Sequence, residues 1–209
     1  MNILNLFRRQ RVPRETPPSE SGHFEVVLSG SGGQGIILAG KILAEAAAIY
    51  DQKEAVMSTS YGPEARGGAS KTEVIISPDG IDYPKVVRMD VLLAMTQEAM
   101  DKYGGLLDEK GLLIIDELFV KEVPPHIKNI LKAPFTDLAV EMFKAQIVAN
   151  IIALGSLAAV TGAVSREALI QAVLGRVPDK ALVLDRLAVD MGFKVVQDSG
   201  FKWRKGATV

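Results

Sequence analysis

The best candidate for a ligand-binding segment in this sequence is a short glycine-rich stretch, SGSGGQG at residues 29–35. Gly30, Gly32 and Gly35 have the G-x-G-x-x-G spacing of dinucleotide-binding loops. A glycine turn between a strand and a helix directs several backbone N–H groups at one point, where they can bind a phosphate or pyrophosphate. The side-chain amide of Gln34 can add a hydrogen bond to such a ligand, or it can face water. A tight turn without a ligand is the alternative, since this spacing alone is a weak signal.

Binding of NAD needs a further feature, an acidic side chain about 20 positions further on, at the end of the second strand. Glu54 has the right separation, but it begins the predicted strand EAVMSTS, which ends in Ser58, Thr59 and Ser60. An NAD-dependent oxidoreductase therefore stays only as an alternative, supported by the three glycines.

A second glycine-rich connection, SYGPEARGGAS at residues 60–70, follows that strand. Ligands of open α/β sheets bind at the carboxyl ends of the strands, and both connections share one edge if their strands run parallel. The guanidinium of Arg66, beside the backbone of Gly67 and Gly68, could hold a phosphate or a carboxylate. The alternative is an exposed ion pair between Arg66 and Glu64, which contributes little to stability.

Other classes of chemistry find little support in the residue types. The sequence has no cysteine, which excludes disulfides, thiolate catalysis and cysteine-ligated zinc or iron–sulfur clusters within this chain. His23 and His126 are far apart in different contexts, so we expect no metal site. Asp116 and Glu117 could act as acid or base, but a solvated strand end is the favoured interpretation. We find no complete catalytic set.

Strands that position the two connections are predicted by apolar runs. These runs are FEVVLS, EAVMSTS, KTEVIIS, DVLLAM and GLLIIDELF. Pro78-Asp79-Gly80 predicts a turn that pairs KTEVIIS with IDYPKVV in an antiparallel hairpin. The other strands alternate with helices, which favours a parallel sheet. The predicted fold is therefore an α/β three-layer sandwich with a mixed, mostly parallel sheet, one antiparallel hairpin and a helical C-terminal part.

Helices are predicted by apolar periodicity and by capping residues. The first should run from about Ile36 to Tyr50, and Thr96 should cap the helix QEAMDKYGGLL. Beyond Pro124 the chain should be helical, with Thr136 and Ser165 as caps. The charge-free stretch at residues 145–165 is long enough to span a membrane, but its polar residues favour a helix buried against protein.

Composition limits the class of protein. With 48% hydrophobic residues and a net charge of −1, the chain can bury a substantial core and is not expected to bind nucleic acid or a membrane. Residues 1–22 have the proline and serine content of a disordered tail and lack an export signal. The expected location is therefore the cytoplasm.

Four segments, in this order along the chain, carry a resemblance to a known family: GSGGQGIILAGKILAEAA, SYGPEARGGASKTEVIIS, DVLLAMTQEAMDKY and NIIALGSLAAVTGAVSREALIQAV. Together they resemble the gamma subunit of the 2-oxoacid:ferredoxin oxidoreductases over residues 24–192. The YGPEARGG motif with AMTQEAMDKY is most similar to the 2-oxoglutarate branch, also called 2-oxoglutarate synthase, while pyruvate and branched-chain relatives are alternatives. The resemblance implies a gamma-type catalytic domain at residues 23–195 and a C-terminal tail at residues 196–209.

Such complexes oxidatively decarboxylate a 2-oxoacid on thiamine diphosphate, pass electrons through iron–sulfur clusters to ferredoxin and form an acyl-CoA. The resemblance implies alpha and beta subunits as partners, with a delta subunit as a further candidate. Thiamine diphosphate, magnesium and the clusters would belong to those partners, and this chain would be inactive alone. A purely structural subunit is the alternative role.

The resemblance also implies that the gamma module approaches the active site and helps to bind coenzyme A. Carried over by position, the binding residues would be Gly30, Ser31, Gly32, Gly33, Gln34 and Gly35, with Tyr61, Arg66, Gly67 and Gly68 opposite. Shaping a subunit interface is the alternative role of the same residues.

Overall fold

The computed structural model describes residues 23–60, 69–176 and 182–205. Within these ranges the strands are β1 (Phe24–Gly30), β2 (Glu54–Ser60), β3 (Ser70–Ser77), β4 (Met89–Ala94), β5 (Leu107–Asp116) and β6 (Asn129–Ala133). The helices are α1 (Ile36–Glu45), α2 (Gln97–Tyr103), α3 (Phe135–Phe143), α4 (Ala149–Thr161), α5 (Arg166–Leu174) and α6 (Leu182–Ser199). A wider helical turn, Ala46–Tyr50, continues α1, and a short 3₁₀ turn, Gln146–Val148, precedes α4. The predicted N-terminal tail lies outside the described residues.

All six described strands form one sheet in the order β2-β3-β1-β4-β5-β6. β3 is antiparallel to both of its neighbours, β1 and β2, whereas the pairs β1–β4, β4–β5 and β5–β6 are parallel. Every described strand except β3 therefore points the same way, which confirms the prediction of a mixed, mostly parallel sheet.

The antiparallel hairpin was predicted in the wrong place. β3 pairs with β2 on one side and β1 on the other, so neither of its edges is left for the segment IDYPKVV. Residues 81–87 form no strand and connect β3 to β4 along the surface, with the side chain of Tyr83 exposed. The hairpin is β2–β3, and its connection is the second glycine-rich segment.

Helices cover both faces of the sheet. Side chains alternate along β4, so that Val91 and Leu93 join the core beneath α1, α3, α4, α5 and α6. Leu92 and Ala94 face the opposite core, which is completed by α2 and by the connection after β5. This arrangement confirms the three-layer sandwich with a helical C-terminal part.

Strand β6 was missed by the sequence analysis, which predicted helix beyond Pro124. The five residues Asn129–Ala133 pair in parallel with β5, from Leu112 opposite Asn129 to Asp116 opposite Ala133. A run this short has too few residues for a period to distinguish strand from helix. The buried side chain of Asn129 fastens the strand, since its amide donates to the carbonyl of Lys110 over 3.1 Å.

Helix α4 contains most of the charge-free stretch and is buried on nearly every side, as predicted. Among the described residues, no helix is long and apolar enough to cross a membrane. Small residues let α4 and α6 approach closely. A Cβ added at Gly155 would lie 2.6 Å from the carbonyl oxygen of Val189, and one added at Gly192 would overlap the carbonyl oxygen of Ile152. The two helix backbones therefore touch here.

We expect Gly192→Ala and Gly155→Ala each to lower the free energy of unfolding by about 1–3 kcal/mol, because the clashing atoms are backbone and cannot rotate away. Denaturant unfolding of the purified chain measures this loss. Gly105→Ala is the matched control, since no atom lies within 4 Å of the added methyl group. Unfolding midpoints equal to that of the wild-type chain would show that this helix contact is loose.

The chain beyond residue 195 packs against the start of β1. Helix α6 continues to Ser199, and the side chain of Trp203 is buried, with its ring centroid 6.4 Å from that of Phe24. The ammonium of Lys205 donates to the carboxylate of Asp90 over 2.7 Å. The domain limits inferred from the sequence, 23–195 with a following tail, stay a prediction.

Candidate functional site

A crevice opens at the carboxyl edge of the sheet between β1 and β4. These parallel strands are neighbours, but the helices that follow them lie on opposite faces. Ile36 of α1 belongs to one core, and Met100 of α2 belongs to the other. α/β proteins bind their ligands at the point where the connections after two adjacent parallel strands go to opposite faces of the sheet.

The crevice contains a pocket of about 550 Å³. Its walls come from the glycine-rich loop after β1, the start of α2, the turn after β5, the first turn of α3 and the residues that lead into α4. The lining residues are Ser31, Gly32, Gly33, Gln34, Met95, Thr96, Phe119, Thr136, Gln146, Ile147 and Ala149. Four of the predicted site residues, those at positions 31–34, thus line one pocket.

Glycine is required at several positions of this loop. Gly33 and Gly35 have φ angles of 91° and 71°, a conformation that other residues rarely adopt. A Cβ at Gly30 would overlap the Oε1 atom of Gln34. Gly32 differs, because no atom lies within 4 Å of an added Cβ there. A side chain at position 32 would therefore begin in open space.

The side chain of Gln34 is used to hold the loop. Its Oε1 atom accepts a hydrogen bond from the backbone N–H of Ser31 over 2.8 Å. Its Nε2 atom donates to the carbonyl of Met95 over 3.4 Å. This amide therefore ties the loop after β1 to the end of β4 and is engaged within the protein. Direct contact of Gln34 with a ligand stays a prediction.

The pocket suits an anion through its backbone. The lining residues carry no charged side chain. The N-termini of α1 and α4 meet at the pocket, and each contributes a partial positive charge. Within the described part of the chain, the backbone N–H groups of Gly32, Gly33 and Gly35 have no hydrogen-bond acceptor. A phosphate could supply the missing acceptors.

Charged side chains gather instead at the opposite edge of the sheet. The buried carboxylate of Glu25 accepts from the backbone N–H groups of Val87 and Arg88 over 2.5 and 2.7 Å. The guanidinium of Arg88 donates to Asp108, and this hydrogen bond lowers the pKa of the Asp108 carboxyl below its ordinary value. These groups hold the β3–β4 connection in place, far from the pocket.

The second glycine-rich segment leaves the same edge of the sheet as the first and ends beside it. Ser60 pairs with Lys71 and Gly30 with Ser70, so β2 and β1 end at the same edge, as predicted. The hydroxyl of Ser29 donates to the carbonyl of Ser70 over 2.9 Å. Four predicted site residues lie in the segment itself, outside the described residues: Tyr61, Arg66, Gly67 and Gly68. Their contact with a ligand stays a prediction.

The sheet order also argues against the NAD alternative. In the dinucleotide-binding fold the second strand lies next to the first, so its terminal acid reaches the ribose. Here β3 separates β2 from β1, which places the end of β2 two strand spacings away, about 10 Å. Glu54 lies at the other end of β2, as the sequence indicated.

Asp116 is not the solvated strand end that the sequence suggested. Its side chain is fully buried and accepts from the backbone N–H and the hydroxyl of Thr136, over 3.0 and 2.6 Å. Thr136 is therefore not a helix cap. Helix α3 begins one residue earlier, after Pro134, and the carboxylate of Asp116 takes the capping role from the neighbouring sheet. Only Glu117 is exposed.

Among the described residues, no group of three or more histidine, aspartate and glutamate side chains could hold a metal ion.

One residue that contacts the loop was missed by the sequence analysis, which treated Asn150 only as a polar residue unsuited to lipid. Its amide donates to the carbonyl of Gly35 over 3.1 Å. A lone amide in a helix whose other polar side chains are two hydroxyls was the available signal.

Comparisons with known proteins agree with this architecture. The model of the pyruvate ferredoxin/flavodoxin oxidoreductase family matches residues 25–195. The 2-oxoglutarate synthase subunit KorC of Methanocaldococcus jannaschii is 48% identical over 176 residues, which cover 83% of this chain and 94% of that protein.

Two solved structures share the fold. The gamma subunit of a keto/oxoacid ferredoxin oxidoreductase from Geobacter sulfurreducens PCA is 50% identical, with a TM-score of 0.76, over 84% of this chain and 99% of its own. The 2-oxoglutarate:ferredoxin oxidoreductase of Magnetococcus marinus was solved with 2-oxoglutarate, coenzyme A and succinyl-CoA bound. It is 22% identical, with a TM-score of 0.74, over 84% of this chain and 31% of its own, and it supports the fold alone. The resemblance read from the motifs is confirmed: the chain belongs to the pyruvate ferredoxin/flavodoxin oxidoreductase family.

Proposed function

We propose that this chain is the gamma subunit of a complex that oxidatively decarboxylates 2-oxoglutarate, or a related 2-oxoacid, to an acyl-CoA with ferredoxin as electron acceptor. Support comes from the KorC relative, whose length this chain matches almost completely. The 2-oxoglutarate substrate follows from that relative's name and from the YGPEARGG motif. The complex is expected in the cytoplasm.

Within this complex, the pocket at the carboxyl edge of the sheet binds coenzyme A. The observation that carries this assignment is the meeting of two helix N-termini, those of α1 and α4, with the unpaired loop N–H groups at a pocket whose lining carries no charged side chain. Such a site favours phosphate groups. Phe119 and Ile147, which are 37% and 52% exposed, add apolar surface that suits the uncharged pantetheine arm.

The chemistry of bond cleavage and electron transfer belongs to the partner alpha and beta subunits, with a delta subunit as a further candidate. Thiamine diphosphate with magnesium would supply carbanion stabilisation there, and iron–sulfur clusters would be held by partner cysteines. This chain has no cysteine to ligate a cluster. Its own residues bind and orient coenzyme A so that the thiol can receive the acyl group.

We expect the isolated chain to be colourless and inactive, because it has neither cysteine ligands nor a recognisable catalytic set. Co-expression with its candidate partner subunits should restore ferredoxin reduction that depends on both 2-oxoglutarate and coenzyme A. Absorption spectra of the isolated chain and assays of the complex with and without it measure this. An iron–sulfur absorption band from this chain alone, or full activity of a complex that lacks it, would contradict the proposal.

A further inference from the structure

The amide of Asn150 reaches the glycine-rich loop from the buried helix α4. Asn150 is only 2% exposed, and its Nδ2 atom donates to the carbonyl oxygen of Gly35 over 3.1 Å. The same oxygen accepts the first backbone hydrogen bond of α1, from the N–H of Ala39 over 2.9 Å. Two donors from different helices thus fix the direction of one carbonyl group.

Fixing this carbonyl also fixes an N–H group. The peptide between Gly35 and Ile36 is planar and trans, so the N–H of Ile36 points opposite to the carbonyl. Because the carbonyl is directed along α1 towards Ala39, the N–H of Ile36 is directed out of the N-terminus of the helix. This is the end of α1 that meets the pocket.

Gly35 makes such a restraint useful. Its φ angle of 71° lies in the left-handed region, which glycine enters and leaves at little cost. A residue with a side chain cannot replace Gly35 to make the backbone more rigid here, since a Cβ at Gly35 would overlap the Nδ2 atom of Asn150. Packing alone would favour an apolar side chain at position 150, because burying an amide is costly unless it is hydrogen-bonded.

We propose that Asn150 is a positioning residue for the anion site: it holds the Gly35–Ile36 peptide with its N–H directed at the phosphate of the ligand. This inference rests on the proposed function, in which the ligand is coenzyme A. A loop held in its binding shape in advance loses less conformational freedom when the ligand binds, and this strengthens binding.

The test compares two alanine variants in the assembled complex. Asn150→Ala and Ser156→Ala each remove one buried hydrogen bond from α4 to a backbone carbonyl, to Gly35 and to Gly192 respectively. We expect Asn150→Ala to raise the KM for coenzyme A about fivefold, the effect of one neutral hydrogen bond, with kcat and the KM for 2-oxoglutarate unchanged. Hydrogen exchange in residues 31–38 should become faster. Ser156→Ala should change neither the kinetics nor this exchange.

Unchanged exchange in the loop of Asn150→Ala, or equal kinetic changes in both variants, would overturn the inference. If the alanine variant does not assemble, the same measurements are made on Asn150→Leu, which removes the hydrogen-bond donor and keeps the side-chain volume. Gly32→Leu separates this inference from the proposed function. If Gly32→Leu raises the KM for coenzyme A and Asn150→Ala does not, only the positioning role fails. If neither changes that KM, the coenzyme A assignment fails as well.

Discussion

Gly32→Leu should raise the KM of the assembled complex for coenzyme A at least about tenfold while leaving the stability of the chain unchanged. Gly32 lines the pocket, no atom lies within 4 Å of an added Cβ, and its φ angle is outside the left-handed region. The Cβ of the new side chain therefore meets no protein atom, and we expect the rest of the side chain to occupy the space that a phosphate needs. Loss of one hydrogen bond to a charged group is worth about 1.5–3 kcal/mol, and 1.4 kcal/mol is a factor of ten.

Steady-state kinetics with coenzyme A varied at saturating 2-oxoglutarate measure this effect, and thermal unfolding checks stability. Gly105→Leu is the matched control, because that glycine also faces open space but does not line the pocket. An unchanged KM for coenzyme A in a normally assembled Gly32→Leu complex would place the ligand elsewhere. The role of a purely structural subunit would then be favoured.

Arg66→Ala should also raise the KM for coenzyme A about tenfold or more. A helix N-terminus contributes only about 0.3–1 kcal/mol to an exposed anion, whereas a hydrogen bond from a guanidinium can add about 1.5–3 kcal/mol. The pocket walls carry no charged side chain, and the segment of Arg66 leaves the same edge of the sheet as the glycine-rich loop and ends beside it. We therefore expect Arg66 to supply a positive charge to this site.

Arg66→Lys should recover part of the affinity, since a point charge cannot replace the bidentate geometry of arginine. The KM for 2-oxoglutarate should change little in either variant. The same kinetic series with each substrate varied in turn distinguishes the two sites. A raised KM for the 2-oxoacid with an unchanged KM for coenzyme A would assign Arg66 to the oxoacid site instead.

Local sequence patterns predicted those features that neighbouring residues determine. The strand–loop–helix unit of β1 and α1 is present, and Thr96 caps α2 by accepting from the N–H of Ala99 over 3.2 Å. Ser165 caps α5 in the same way. The burial of α4 followed from its charge-free composition. Each of these depends on contacts within a few residues or on hydrophobicity alone.

Features that depend on distant residues were predicted less well. The turn residues Pro78-Asp79-Gly80 indicate a change of direction, but they do not reveal that both edges of β3 are already paired. Asp116 lies 20 positions from its partner Thr136, and Asn150 lies 115 positions from Gly35. Hydrogen bonds of this separation leave no periodic signal in the sequence, so the polar framework that holds the candidate site emerged only from the structure.

Seven consecutive residue pairs, from Glu54–Ser77 to Ser60–Lys71, join β2 to β3. These pairs fix the register of the hairpin independently of the segment that closes it, and the entropic cost of closure grows only slowly with loop length. Evolution can therefore lengthen, shorten or exchange residues 61–68 without changing the pairing of these strands. We expect relatives that act on other 2-oxoacids to differ in this segment by insertion and deletion, and a chimaera that carries such a relative's segment to fold as well as its parent.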